Sequence, residues 1–282
     1  MTGTAPSPDG FSARFWGVRG SIAVPGPETL RYGGNTPCVE IRCGRHVLIL
    51  DAGTGLHELG HHLEQQAPPY DFDIFLTHTH YDHIEGLPFF GPAFGAGNTL
   101  RLWAGHLLPD RTLRETINQL FADPFLPISV TTMRAETRFL DFHAGETLQP
   151  QPGVTLRTAA LNHPNNATGY RVEYEGKAIC YVTDTEHFAD RLDANVLALI
   201  RGADYVIYDA MFSNAEYPSK RGWGHSTWEE GIRLVEAAGA KTLVLFHHMP
   251  RRTDDQLDAL AGRVERARPG TVVAREGLVL RV

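Results

Sequence analysis

Apolar positions in this chain fall into two rhythms. Unbroken apolar runs at residues 47–50 (Val-Leu-Ile-Leu), 74–76, 178–182, 205–208 and 243–246 are each bounded by polar or turn-forming residues. Runs of that length predict strands buried on both faces. Residues 11–17 and 100–103 predict further strands, and residues 154–160 alternate as a half-buried strand does. Elsewhere the apolar residues return at helical spacing. Leu56, Leu59 and Leu63 predict a helix over 56–66, and Leu113, Ile117, Leu120 and Phe121 one over about 111–122. Ser226 and Glu229 form an S-x-x-E box opening a third helix, with Trp228, Ile232 and Val235 on one face and Gly239 as its stop. Thr253 and Gln256 open a fourth over about 254–267, which turns Leu257, Leu260 and Val264 inward.

The residues at the strand ends change the picture. Asp51, His78, His163, Asp184, Asp209 and His247 each follow a predicted strand within one to three positions, so reactive side chains collect along one rim. The densest group is 77–86, Thr-His-Thr-His-Tyr-Asp-His-Ile-Glu-Gly. In extended chain His78 and His80 share a face and can converge on one ion, while the turn carries Asp82 and His83 toward a neighbouring ion. Three imidazoles and a carboxylate so placed are metal-ligand chemistry. Asp51 faces this loop as an acceptor for a ligand histidine's free N–H, or as a brace for the turn. His57, His61 and His62 read as solvated, and His106 and His143 as surface or core residues.

Three segments lack a regular rhythm. Residues 18–37 are rich in Gly and Pro and predict a long loop of the kind that carries function. Within it Arg19, Arg31 and Asn35 are candidates for substrate contact or for support of the site, the arginines being equally explained as ion-paired or solvated. Residues 87–94 and 121–128 are apolar and broken by Pro, and stand open between a lid, a dimer contact and core.

Composition narrows the class. A chain of 282 residues, 42% hydrophobic, can bury a large core. Residues 11–282 are expected to form a single domain after a flexible, Pro-, Ser- and Gly-rich stretch at 1–10. The net charge of −7 disfavours long nucleic acid, which needs clustered cations, and leaves a small phosphorylated substrate compatible. Cys38, Cys43 and Cys180 are odd in number and lack C-x-x-C spacing, which fits reduced thiols. No apolar run is long enough for a membrane span or a signal region, so the expected location is cytoplasmic, with no membrane partner.

The His-x-His-x-Asp-His stretch resembles the signature of the metallo-β-lactamase-fold hydrolases. That resemblance implies an α+β fold, a four-layer αβ/βα sandwich of two mixed sheets, with metal at the sheet edge. His163, Asp184 and His247 then fall in order on the family's remaining metal motifs. The implied cofactor is two divalent metal ions: His78, His80 and His163 on one, Asp82, His83 and His247 on the other, and Asp184 between them. Nitrogen-rich ligation suits Zn²⁺, and mixed N and O ligands also admit Mn²⁺ or Fe. The family's apolar-x-His pattern selects His247 over His248, which becomes a supporting or substrate-contacting group. In the family the counterpart of Asp51 is structural and does not touch metal.

His225, in Gly224-His225-Ser226-Thr227, sits just before a helix N-terminus, where free N–H groups and the dipole favour an anion. The run from Gly224 to His248 is similar to the tRNase Z branch, in which a His-Ser/Thr motif supplies a catalytic histidine backed by an acidic residue. Asp209 occupies the matching place, and a carboxylate there keeps an imidazole protonated. On this likeness Asp82 orients the attacking water and His225, braced by Asp209, gives a proton to the leaving group. The tRNA-processing enzymes carry a long arm between the third and fourth motifs. Here only residues 164–183 lie there, enough for a turn and a hairpin. The compact spacing looks more like the small-molecule phosphodiesterases of the branch, such as the cyclic-phosphate phosphodiesterase of the carbon-phosphorus lyase pathway, and the likeness admits a homodimer. The expected function is cleavage of a small phosphodiester, a cyclic phosphate or cyclic nucleotide. The alternatives are a lactone or carboxylic ester hydrolase, a tRNA 3′-end endonuclease, and a non-catalytic metal-binding partner.

Overall fold

The apolar runs form strands, as their β-branched and aromatic content favours. A computed structural model describes residues 10–282, so the stretch expected to be flexible lies, apart from Gly10, outside the described residues. The strands in chain order are β1 (Phe11–Gly17), β2 (Cys38–Cys43), β3 (His46–Leu50), β4 (Asp71–Leu76), β5 (Thr99–Ala104), β6 (Glu136–Asp141), β7 (Thr147–Gln151), β8 (Val154–Leu161), β9 (Ala167–Tyr174), β10 (Lys177–Val182), β11 (Tyr205–Asp209), β12 (Thr242–Phe246), β13 (Val272–Val273) and β14 (Val279–Arg281). The helices are α1 (Gly55–Glu64), α2 (Tyr81–Ile84), α3 (Leu113–Leu120), α4 (Ala194–Ile200), α5 (Trp228–Ala238) and α6 (Asp254–Ala267).

Two mixed sheets result, ordered β14-β1-β2-β3-β4-β5-β6 and β13-β12-β11-β10-β9-β8-β7. In the first, β3 to β6 run parallel; in the second, β10 to β13 do. Phe15, Ile41, Leu48, Leu50 and Phe75 of the first sheet meet Leu156, Val172, Ile179, Tyr181 and Phe246 of the second in a shared core. Each outer face carries helices. Leu56, Leu59, Leu113 and Ile117 of α1 and α3 cover the first, and Val196, Leu234, Val235, Leu257 and Val264 of α4, α5 and α6 cover the second. Strands covered on both faces need no polar alternation, which is why their sequences read as unbroken apolar runs. The layers are those of the expected four-layer sandwich.

Several local expectations need revision. The N-cap of α5 is Thr227, whose hydroxyl accepts from the Glu230 N–H, one residue beyond the expected Ser226–Glu229 box. Ser226 instead takes the Tyr208 hydroxyl at 2.8 Å and lies 3.0 Å from His187 Nδ1. The same helix does stop at Gly239, in the left-handed conformation (φ 62°), and the Thr253–Gln256 capping box is present. In residues 87–94, Leu87, Phe90 and Ala93 are core packed beneath α1, while Phe89 is exposed. Phe121 and Ile128 join that core as well, leaving Phe125 exposed on the second segment. All three cysteines are free and buried. No described helix is long and apolar enough to cross a membrane.

Candidate metal centre

Because parallel strands end on the same side, β3, β4, β10, β11 and β12 deliver Asp51, His78, Asp184, Asp209 and His247 to one rim. Asp51, Asp184 and His247 leave their strands in the left-handed region, at φ 61°, 54° and 59°. Non-glycine residues held there cluster where geometry serves function.

Two groups of donor atoms meet. His78 Nε2 lies 2.8 Å from His80 Nδ1, and His163 Nε2 lies 3.2 Å from that same atom. Asp82, His83 and His247 form the second group, with Asp82 Oδ2 3.4 Å from each of His83 Nε2 and His247 Nε2. Asp184 reaches both. Its Oδ1 is 3.9 Å from His78 Nε2 and 3.8 Å from His163 Nε2, while its Oδ2 is 3.2 Å from His83 Nε2 and 3.3 Å from His247 Nε2.

The rings are fixed from behind, as metal-binding imidazoles are. His83 Nδ1–H donates to Asp51 Oδ2 at 2.8 Å, and His163 Nδ1–H donates to the Gly224 carbonyl at 2.8 Å. His78 Nδ1 lies 3.1 Å from the Thr77 hydroxyl, which is itself bonded to Asp51. Asp51 also accepts the Thr77 N–H and the Tyr181 hydroxyl from the facing sheet, so one buried carboxylate ties the metal loop to both sheets. Ser21 donates its N–H to Asp82 Oδ2 at 2.7 Å.

The electrostatics fit cations. Asp51, Asp82, Asp184 and Asp209 are all buried here, and buried carboxylates demand compensation. Burial opposes charge on His83, yet Asp82, Asp184 and Asp51 hold its pKa well above the ordinary histidine range. Burial raises Asp82, but His83 and His247 more than reverse this and keep it below the usual carboxylate range. Burial and the neighbouring imidazoles keep His78 low, in the neutral form that binds metal. The most direct sign is that His83 Nε2 and His247 Nε2 are buried without a hydrogen-bond partner. Buried nitrogens are rarely left so without a ligand to satisfy them. The cluster fits a pair of metal ions.

His225 stands against this cluster. Its Nδ1–H donates to Asp209 Oδ2 at 2.9 Å, and its ring stacks on His247 with centroids 5.0 Å apart. Burial lowers its pKa, but Asp209, Asp184 and Asp82 outweigh this and push it up to about 9. Asp184, Asp209, His225 and His247 also bring donor atoms close enough for an ion. There, however, the hydrogen bond between His225 and Asp209 already occupies the facing atoms.

Four of the expected support or substrate residues do not face this centre. Arg19 is fully buried and donates to the carbonyls of Gly33 at 2.7 Å and Arg252 at 2.6 Å, which makes it a strut between loops. Asn35 accepts the Thr54 hydroxyl and gives its N–H to Glu276, staying within the loop framework. His248 points away, donating Nε2–H to the Ala274 carbonyl, and burial pushes its pKa down to about 3. Arg31 pairs at the surface with Asp255 and Asp258.

Other contacts carry no local sequence signal. His106 lies beside the centre with Nε2 3.2 Å from the Thr79 hydroxyl, and together with His80, Arg111 and Asn165 it lines a cavity of about 450 Å³. Gly20 packs against the His247 ring so closely that a Cβ would sit 2.4 Å from Cε1 and 2.5 Å from Nδ1. Gly20→Ala is therefore expected to displace His247 and weaken binding of one ion by about 10–100-fold, the range seen when a ligand's support is disturbed. Chelator competition would measure it, and equal retention of both ions would remove the steric argument.

Residues 45–248 match the model of the beta-lactamase superfamily domain. The chain belongs to that superfamily. Among its relatives, Ribonuclease Z of Pseudomonas putida is 28% identical over 257 residues, 75% of this chain and 78% of the relative. The metallo-beta-lactamase fold protein YhfI of Bacillus subtilis superposes with a TM-score of 0.71 at 20% identity, covering 97% of this chain and all of that one. A diphosphatase of the PhnP family does so with a TM-score of 0.69 at 20% identity, covering 96% and 98%. The superfamily's two-sheet fold is the one described here, and the protein is a metal-dependent hydrolase.

Proposed function

We propose that this superfamily member cleaves a small phosphodiester. In this reading His78, His80 and His163 would hold one ion and Asp82, His83 and His247 the other, with Asp184 available to both. Five imidazoles in seven donors favour Zn²⁺. A bound pair of dications would supply Lewis acidity, neutralising phosphoryl charge and bringing a water's pKa near neutral. Asp82, with Oδ2 held by Ser21, orients the attacking water through its other oxygen. His225 protonates the departing alkoxide, while Asp209 fixes its tautomer and ring plane.

The observation carrying this reading is the His225–Asp209 pair, set against the ligand cluster but outside its two ligand triads. An alkoxide leaving phosphorus needs a proton, and a buried imidazole beside the ligand cluster, its Nδ1–H held by Asp209, would supply one. The small size of the substrate is supported by β9 and β10, a tight hairpin turning at Glu175-Gly176 that fills the interval between His163 and Asp184. The test is a side-by-side assay of the metal-loaded protein on bis(4-nitrophenyl) phosphate, cyclic nucleotides, lactones and thioesters. Turnover confined to the carbonyl substrates would sink the proposal.

The Ribonuclease Z relative favours a second reading, the tRNA 3′-end endonuclease already named as an alternative. It requires RNA affinity that falls steeply with salt. Fluorescence anisotropy across a salt series, run beside the small-diester assay, separates the two.

A further inference from the structure

Glu186 is bound into the active-site rim more extensively than its position in a loop explains. Its two carboxylate oxygens accept four contacts: Oε1 from the Tyr217 hydroxyl and the Gly222 N–H, both at 2.8 Å, and Oε2 from the Gly222 and Gly224 N–H groups, both at 2.9 Å. Gly222 and Gly224 both lie at positive φ, 83° and 82°, so the backbone curls around the carboxylate as a nest of N–H donors. The Glu186 backbone is fastened elsewhere. Its N–H donates to the Asn162 carbonyl, and its own carbonyl accepts the Asn162 side-chain amide, each at 2.7 Å.

Three segments meet at this residue. Asn162 precedes His163, Glu186 follows Asp184 by two positions, and Gly224 both precedes His225 and accepts His163 Nδ1–H. A Cβ at Gly224 would lie 2.3 Å from His163 Nδ1, which shows how closely that backbone is pressed to the ligand ring. Loops without such a tie sample many conformations, and ordering one costs conformational entropy.

We infer that Glu186 is a positioning residue: its carboxylate clasps the 217–224 loop and thereby sets where His225 stands relative to the metal ligands. The inference rests on the proposed role of His225 as proton donor. Glu186 belongs to none of the donor groups of the cluster, and its effect passes through the backbone of Gly222 and Gly224. Only a group with two anionic oxygens can serve this nest. In Glu186→Gln the side chain keeps its size, but an NH₂ faces N–H donors and part of the clasp is lost.

The test compares wild type with Glu186→Gln, both metal-loaded. Expected results are full metal occupancy at saturating metal, faster amide exchange at 222–225, and a kcat on a cyclic nucleotide lower by about 10- to 100-fold, the scale of a misplaced catalytic group. KM should hold. Turnover of bis(4-nitrophenyl) phosphate, whose leaving group needs no proton, should be largely spared. A parallel fall on both substrates, or loss of metal, would mean a merely structural role and overturn the inference. Unchanged amide exchange would overturn it too. If the wild type cleaves neither diester, the proposed function falls on its own, and amide exchange alone decides whether the clasp exists.

Discussion

Asp184→Ala is expected to lose metal and hydrolysis together. The side chain is almost fully buried, and among the described residues its carboxylate alone faces both donor groups, one oxygen toward His78 and His163 and the other toward His83 and His247. Removing it leaves two three-ligand sets with nothing shared between them, and four imidazoles lose their common anion. Disturbing a group that only supports a ligand costs about 10–100-fold in metal affinity, and losing a bridging ligand should exceed that. Metal analysis of protein purified without chelator would find the variant depleted, with phosphodiesterase activity below detection. A variant that kept two ions would show that Asp184 does not bridge.

His225→Ala should separate what Asp184→Ala abolishes. Its ring is fixed by Asp209 and stacks on His247, but neither ligand triad includes it. The variant is therefore expected to keep both ions and to lose about 10²–10⁴-fold in kcat on a substrate with an alkoxide leaving group, the range for general acid catalysis. A nitrophenyl diester should recover much of that loss. Depletion of metal in this variant would make His225 a ligand, and absence of any rescue would remove its role as donor.

Much of the fold was legible because its strands are buried on both faces and therefore spell out apolar runs. The proposed donor residues stood out for a related reason, since all but His163, which follows the alternating stretch at 154–160, come after such a run. The choice between the adjacent His247 and His248 turns on backbone as well: His247 enters the left-handed region and its ring joins Asp82 and Asp184, while His248 is carried to the Ala274 carbonyl. Arg19 and Asn35 were not legible. A cation in a glycine-rich loop looks the same in sequence whether it meets a substrate or, as here, ties the Gly33 and Arg252 carbonyls across the fold. Glu186, Gly20 and Ser21 share that difficulty, because their partners are distant in the chain. The α5 cap moved by one residue because Ser and Thr are adjacent and both suit an N-cap, and Tyr208 had already claimed the serine.

The wall beside Asp82 has a consequence for how this centre can be moved or trimmed. Ser21, which holds Asp82, belongs to a loop tied down by the far end of the chain: Arg19 donates to the Arg252 carbonyl, Asp254 accepts the N–H groups of Arg31 and Tyr32, and Glu276 accepts that of Asn35. All of these anchors lie outside residues 45–248, the span of the family-model match. A fragment cut to that span would retain every proposed ligand yet lack the side that steadies one of them. Grafting the chemistry onto another scaffold would mean transplanting both flanks along with the ligands.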